Sequence, residues 1–198
     1  MGFPGIFSSI DAYTKNIVET YFQKNGRLPS WLSEIGEVER IVTVKSSEFR
    51  LVSGETILTG MPDLIFKRPD GSFAIVDYKT ARYTGNQGAL MPVYQIQLNG
   101  YACIAEAIGE RPVNDLYLVY FEPPSKEVFE KITDGHTNSE GFEMPFKPVI
   151  HPIKKDTKEV MNLLRKAEEI YSKDKPPEGL KGCKDCERLE GLIGLVEG

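Results

Sequence analysis

The sequence predicts an α/β fold built around a buried sheet. Two neighbouring segments, 64–66 and 73–76, are apolar at every position, which is typical of strands covered on both faces. A long, mostly apolar helix is predicted over about 86–108, and a further strand in the same sheet over Leu116–Phe121. With 198 residues, 40% of them hydrophobic and 27% charged, the chain suits a single domain, 1–198.

An amphipathic helix and two short strands precede the buried strands. The helix is predicted over Ile10–Gln23 and stops at Asn25-Gly26, with four residues towards the core: Tyr13, Ile17, Tyr21 and Phe22. Strands are predicted around Ile41–Val44 and Phe49–Val52. These elements precede the two buried strands, the long helix and the further strand along the chain.

The segment Arg68-Pro69-Asp70-Gly71-Ser72 predicts the turn between the two buried strands. Proline presets φ, aspartate hydrogen-bonds its own backbone, and glycine accepts a left-handed conformation. A three-residue loop closed by Gly71 makes Arg68 and Ser72 partners. A two-residue loop is the alternative and shifts the pairing by one residue.

The register of this hairpin decides where three charges lie. With the three-residue loop, Asp63 lies opposite Asp77, with Cβ atoms roughly 5 Å apart, and Lys79 shares their face. With the two-residue loop, Asp63 lies opposite Tyr78 and points away from Asp77. The longer loop thus predicts two carboxylates and a lysine in one patch.

Such a patch is costly beside an apolar sheet. Like charges that face each other across strands are destabilising, and an unpaired buried carboxylate costs several kcal/mol or becomes protonated. A bound cation would resolve this conflict. The alternative is that Asp63 is only a turn residue, and that Asp77 and Lys79 form an ordinary ion pair at a solvated strand end.

The long helix carries a polar stripe. Tyr94, Gln97 and Tyr101 follow the helical spacing of three and four residues, so their polar tips lie along one side and could reach a phosphate together. Alternatively, the tyrosines are amphipathic residues at the edge of the core and Gln97 is solvated. The stripe indicates a functional site only in combination with the charged patch.

In order, Gly60-Met61-Pro62-Asp63, Asp77-Tyr78-Lys79 and Gln97-Leu98-Asn99-Gly100-Tyr101 resemble the motifs of the PD-(D/E)XK nuclease superfamily. The resemblance is to its RecB-like exonuclease branch, which includes CRISPR-associated nucleases, and it covers roughly residues 39–121. It implies a restriction-endonuclease-like core, with a central mixed β-sheet flanked by helices on both faces.

The resemblance also implies the site. Asp63, Asp77 and the main-chain carbonyl of Tyr78 would bind Mg²⁺ or Mn²⁺, and Lys79 would be catalytic. Oxygen ligands are those that a hard cation such as Mg²⁺ prefers. The ion would lower the pKa of a bound water, and the lysine would stabilise charge that develops in the transition state.

The stripe on the long helix completes the implied site. By resemblance, Gln97 and Tyr101 support the catalytic lysine and, with Tyr94, contact the nucleic-acid backbone. The expected function is metal-dependent phosphodiester hydrolysis by a DNA exonuclease of repair, recombination or mobile-element and defence systems. The alternatives are a nucleic-acid-binding or assembly module that keeps the fold without cleaving, such as a helicase partner, and a metal-binding structural protein.

The sequence departs from many RecB-like nucleases because no histidine precedes the first aspartate. The only histidines are His136 and His151, both downstream. An oxygen ligand could instead come from one of four upstream glutamates, which otherwise are solvated: Glu19, Glu34, Glu37 and Glu39.

The cysteines are a second departure, because relatives with an iron–sulfur cluster use four. This chain has three, and Cys183 and Cys186 look like a remnant of the C-terminal cluster segment, while Cys103 fits the apolar pattern of the long helix. A cluster or zinc ion would need another ligand or a second chain. We therefore expect a disulfide between Cys183 and Cys186, or two free thiols.

The remaining sequence supports a cytoplasmic protein that acts on nucleic acid. No segment reaches the roughly 20 apolar residues of a membrane span, and no signal peptide is recognisable. The net charge of −5 argues for modest affinity for nucleic acid and leaves homo-oligomers open. Segment 122–153 is interpreted as a flap with short strands at 128–132 and 142–146. Segment 156–198 is interpreted as helical, beginning with a capping box at 156–159.

Overall fold

A computed structural model describes residues 5–83, 88, 90–125, 128, 136–175 and 177–197, without the side chains of 6–8, 196 and 197. Its helices are α1 (Gly5–Asn25), α2 (Leu90–Ala107), α3 (Thr157–Tyr171) and α4 (Lys184–Glu197), with a short 3-10 helix at Ser30–Ile35. Its strands are β1 (Arg40–Val42), β2 (Arg50–Ser53), β3 (Thr56–Thr59), β4 (Leu64–Lys67), β5 (Phe73–Lys79), β6 (Val113–Glu122), β7 (Thr137–Asn138), β8 (Gly141–Phe142) and β9 (Lys147–Ile153).

The central sheet has five strands in the order β1-β4-β5-β6-β9. Strands β5 and β6 are parallel and are joined through α2, whereas the other neighbouring pairs are antiparallel. A crossover helix is the usual connection between parallel strands because they need a long link. The sheet is therefore mixed, and the predicted fold class is confirmed.

Helices cover both faces of this sheet because β4 and β5 are apolar on both sides. On one face, Ile65 and Ile75 pack in a cluster with Leu98 and Ala102 of α2. On the other face, the alternate residues pack with Val18 of α1 and with the 3-10 helix. Side chains alternate along a strand, so odd-numbered residues of β4 and β5 point towards α2.

The turn between β4 and β5 has the predicted three-residue form. The N–H of Arg68 donates to the carbonyl of Ser72, and the N–H of Gly71 donates to the carbonyl of Arg68, at 2.8 and 3.0 Å. Gly71 has a φ of +84°, which only glycine adopts easily. Leu64 pairs with Val76, as the longer loop requires.

Several predicted boundaries and buried positions were wrong. Tyr13 and Ile17 are 68% and 40% exposed, whereas Val18, among the described side chains of α1, is fully buried. The predicted first turn of the long helix lies partly outside the described residues, and Leu90 and Val93 at the start of α2 are exposed. Strand β3 was missed, and it pairs with β2 in a separate hairpin.

The interpretation of 122–153 as a flap requires correction at its end. Residues 147–153 form β9, which pairs with β6 along its length and is an edge strand of the central sheet. The predicted strand at 142–146 is reduced to the two-residue strand β8, and the one at 128–132 lies outside the described residues except for 128. In the described part of segment 122–153, the β7–β8 hairpin lies apart from the central sheet.

Helix α3 packs on α2. Val160 and Leu164 of α3 form a buried cluster with Cys103, which confirms Cys103 as a core residue. The predicted capping box does not form, because Asp156 makes no side-chain cap and its N–H donates to Asn99 Oδ1 at 2.5 Å. All three cysteines are free thiols, so no disulfide joins Cys183 to Cys186.

Candidate active site

Asp63 and Asp77 meet at the end of the β4–β5 hairpin. Continuing the observed register by one residue places Asp63 opposite Asp77, on the face that α2 covers. The backbone N–H of Tyr78 donates to Asp63 Oδ2 at 2.5 Å, which ties this carboxylate to β5. The Asp63 and Asp77 side chains are only 12% and 5% exposed, so two acidic groups lie close together in a sheltered position.

Asp77 carries the electrostatic conflict that the sequence predicts. Burial raises the pKa of its carboxyl above the ordinary value, the neighbouring Asp63 charge raises it further, and Lys79 and Lys15 oppose both effects without cancelling them. The Lys79 ammonium lies 2.5 Å from Asp77 Oδ2. This ion pair partly offsets the cost of burying the Asp77 charge.

Lys79 is held by α2 as well as by Asp77. Its Nζ donates to Gln97 Oε1 at 3.3 Å and lies 4.5 Å from the centre of the Tyr94 ring, a cation–π distance. Gln97 Nε2 in turn lies 3.5 Å from Asp77 Oδ1. One glutamine therefore links the lysine and the carboxylate, and the lysine head group is confined on several sides.

Tyr101 supports this arrangement from the next turn of α2. Gln97 Nε2 donates to the Tyr101 hydroxyl at 2.7 Å, and burial raises the pKa of that phenol. The tyrosine ring lies against Gly60, where an added Cβ would be 2.5 Å from Cε1. The glycine of the Gly60-Met61-Pro62-Asp63 motif is thus required for close approach between this loop and α2.

Sequence reasoning missed two residues of the site, Lys15 and Asp11. The Lys15 ammonium lies 2.7 Å from Asp63 Oδ1 and 3.0 Å from Asp11 Oδ2. Burial lowers the pKa of Lys15, but hydrogen bonds and charges from Asp63 and Asp11 outweigh it and raise the pKa overall. The signal was the spacing of Asp11, Lys15 and Glu19, which places alternating charges on one face of α1.

In the described part of the chain, none of the glutamates considered as replacement ligands forms a metal-binding group with Asp63 and Asp77. Glu39 pairs with Lys67 at 3.1 Å, and Glu34 and Glu37 are exposed. Glu19 is close enough that its charge, after burial and Asp63, raises the pKa of Tyr78. The residue of α1 that contacts Asp63 is Lys15, which is a cation and not a metal ligand.

The residues present fit a divalent cation. Within the described ranges no three His, Cys, Asp or Glu side chains converge as a metal-binding group. Magnesium, however, is usually held by one or two carboxylates, with water and substrate phosphate completing its shell. Asp63, Asp77 and the Tyr78 carbonyl could supply that set, because they are oxygen donors and the two carboxylates lie close together in a sheltered position.

A separate cavity lies beside α1 and β6. It has a volume of about 900 Å³ and is lined by aromatic and apolar side chains that include Tyr13, Trp31, Phe121 and Phe142. None of the predicted site residues lines it. The Asp63–Asp77 patch is the candidate site, because its charged groups are buried and in contact with one another.

Comparison with known proteins agrees with the geometry. A model of the PD-(D/E)XK nuclease superfamily matches residues 8–190, which includes every residue of the patch. The comparisons with curated proteins and with solved structures each found no significant match. Proteins of the matched superfamily are generally nucleases and typically use divalent metal ions. The match spans most of the sequence, and the chain therefore belongs to the PD-(D/E)XK nuclease superfamily.

Proposed function

We propose that this protein is a Mg²⁺- or Mn²⁺-dependent deoxyribonuclease that digests DNA from its ends. The observation that carries the proposal is the contact network in which Asp77, Lys79 and Gln97 are mutually bonded beside Asp63. Superfamily membership supports metal-dependent cleavage of nucleic acid. The preference for DNA and for exonuclease action rests on the resemblance of the motifs to the RecB-like branch.

In the proposed reaction, Asp63, Asp77 and the Tyr78 carbonyl hold the cation. When bound, a divalent ion lowers the pKa of water and polarises the phosphoryl oxygen. Lys79 orients the attacking water and donates to the phosphate oxygen that gains charge in the transition state. A fixed donor is effective because it does not need to reorganise during the reaction.

The helix α2 keeps the lysine in position for that step. Gln97 accepts a hydrogen bond from Lys79, and Tyr101 accepts one from Gln97. This chain of hydrogen bonds fixes the position of the lysine ammonium against α2. Tyr94 faces the ammonium with its ring. We assign positioning roles to Gln97 and Tyr101 and expect their polar tips and that of Tyr94 to contact the DNA backbone.

The proposed setting is cytoplasmic DNA repair, recombination or defence against mobile elements, alone or with a helicase partner. Among the described residues, no helix is long and apolar enough to cross a membrane. The net charge of −5 supports weak intrinsic binding, so a partner that delivers DNA would increase the rate.

The test is cleavage of end-labelled single- and double-stranded DNA and RNA with Mg²⁺, Mn²⁺ or EDTA. We expect metal-dependent release of short products from linear DNA, with circular single-stranded DNA left intact. Lys79→Ala should lower the rate by about 10²–10³-fold, the usual cost of removing one transition-state donor. Lys67→Ala is the matched control, because Lys67 pairs with Glu39 at the other end of β4.

The control outcomes separate the alternatives. Cleavage of circular DNA would refute the exonuclease assignment, and preferential loss of RNA would refute DNA as substrate. Binding of DNA without cleavage in any metal, with a positive-control enzyme active, would support the non-cleaving module. Equal activity in Lys79→Ala and Lys67→Ala would refute the role of Lys79.

A further inference from the structure

The ammonium group of Lys15 occupies the space in front of Asp63. It lies 2.7 Å from Asp63 Oδ1 and 3.0 Å from Asp11 Oδ2, so it bridges two carboxylates. Asp11 and Lys15 are four residues apart on α1, which lies on the face of the sheet opposite α2. Lys15 therefore reaches the site from the α1 side of the sheet, whereas the Lys79 and Gln97 side chains meet on the α2 side.

Both oxygens of Asp63 are engaged by donors. Oδ1 accepts from Lys15, and Oδ2 accepts the N–H of Tyr78. Asp77 is paired in a similar way, because the Lys79 ammonium lies 2.5 Å from its Oδ2, but Gln97 and the Tyr94 ring also hold that ammonium. A cation that binds both carboxylates must therefore displace a partner of Asp63, and Lys15, which is 33% exposed against 19% for Lys79, is the lysine with more room to move.

We propose that Lys15 is a resident counter-ion of Asp63 that a divalent cation displaces, and that its released ammonium then binds a backbone phosphate of the substrate. The proposal rests on the proposed function, because it assumes that Asp63 and Asp77 are metal ligands. Two cations on one carboxylate oxygen repel strongly at a few ångströms, even with the effective dielectric of a protein surface. The two cannot share Asp63 Oδ1.

The Lys15 side chain can make this exchange without rearrangement of the fold. It is 33% exposed and ends in a flexible four-carbon stem, while α1 itself is anchored by the buried Val18. A lysine ammonium binds phosphate as a point charge and needs no fixed orientation. Before displacement, Lys15 neutralises Asp63 in the metal-free protein. After displacement, it attracts DNA to the metal-bound site.

Calorimetric titration with Mn²⁺ tests the displacement without any need for cleavage. We expect Lys15→Met to bind Mn²⁺ roughly tenfold more tightly than the unmodified protein, which corresponds to about 1.4 kcal/mol. Lys24→Met is the matched control, because it removes the same charge from an exposed position near the end of the same helix. It should leave the Mn²⁺ affinity unchanged.

The titrations also distinguish failure of this inference from failure of the proposed function. Equal or weaker Mn²⁺ binding by Lys15→Met, with normal binding by the unmodified protein, overturns the inference alone. Unchanged Mn²⁺ binding by Asp77→Asn overturns the metal site on which the function depends. If neither the unmodified protein nor Lys15→Met binds Mn²⁺, both proposals fall together.

Amine labelling followed by mass spectrometry tests the exchange directly. In the Lys79→Ala background, which prevents cleavage, Mn²⁺ should raise the labelling of Lys15 several-fold and leave that of Lys24 unchanged. Addition of a single-stranded oligonucleotide with Mn²⁺ should protect Lys15 again. Labelling of Lys15 that does not respond to Mn²⁺ refutes displacement, and labelling that the oligonucleotide does not reduce refutes the phosphate contact.

Discussion

Gly60→Ala tests whether close approach between the Gly60 loop and α2 holds the site together. A Cβ at this position would lie 2.5 Å from Tyr101 Cε1, about 0.9 Å short of the 3.4 Å at which ordinary contact begins. Tyr101 is 8% exposed and lies beside Phe49, with ring centroids 6.3 Å apart, so its ring has little room to retreat. Gly60 is not in the left-handed region, so alanine adds no backbone strain there.

The expected cost has two parts. Overpacking of a well-packed core typically costs about 1–3 kcal/mol. Movement of the ring also breaks or lengthens the 2.7 Å hydrogen bond between Gln97 and Tyr101, which costs about 1 kcal/mol more. We expect a total loss of about 2–4 kcal/mol, which lowers Tm by roughly 4–16 °C in a chain of this size.

Chemical and thermal unfolding in a double-mutant cycle would measure this effect. Gly60→Ala should be costly in the unmodified protein but close to neutral in the Tyr101→Ala background, where the opposing ring is absent. Tyr101→Phe separates the hydrogen bond from the steric part. Gly191→Ala is the control, because an added Cβ there meets nothing within 4 Å. An equal loss in both backgrounds, or no loss in either, would refute the reasoning.

Two further predictions concern the charged patch and the turn. Because burial raises the pKa of Asp77, its ionised form opposes folding. This cost is absent below about pH 4, where the carboxyl is protonated in both the folded and the unfolded protein. It is fully present once the pH has risen through the pKa of the folded protein. Asp77→Asn should therefore stabilise the protein in EDTA by about 1 kcal/mol at pH 7 and by less at pH 4. The same substitution should abolish Mn²⁺ binding. Thermal melts in which the variant is less stable than the unmodified protein at pH 7 would contradict this prediction. Gly71→Ala should lower the free energy of unfolding in urea by about 1–2 kcal/mol, because φ at this position is +84° and the space around it is open. Gly71→Asn should cost less, since asparagine tolerates the left-handed region better. If both variants were as stable as the unmodified protein, the left-handed turn would be refuted.

Local chemistry explains why the hairpin could be predicted in detail. The turn needs only five neighbouring residues, and its loop length determines every pair along β4 and β5. Asp63, Asp77 and Lys79 then share one face whatever else packs on the sheet. The stripe of Tyr94, Gln97 and Tyr101 is similarly local, because helical spacing alone aligns it.

Predictions failed where the partner of a segment lay far away in the chain. Residues 147–153 contain two prolines and a histidine and do not read as a buried strand, yet β9 pairs along its length with β6. Asp156 has the sequence of a helix cap, but its N–H is taken by Asn99, 57 residues earlier. Tyr13 fits the apolar stripe of α1, but no element of the core covers it. In each case a tertiary contact, or its absence, overrode the local preference.

By itself, the sequence determined the superfamily, the α/β class, the hairpin register and the group of residues from which the site is made. Those features depend on short-range spacing and turn chemistry, which a chain carries wherever it packs. Only the tertiary structure decided that Lys15 neutralises Asp63, that Gly60 admits the ring of Tyr101, and that Gln97 joins Lys79 to Asp77. These contacts join α1, α2 and the sheet across long stretches of chain, and their distances follow from how the layers pack rather than from residue spacing.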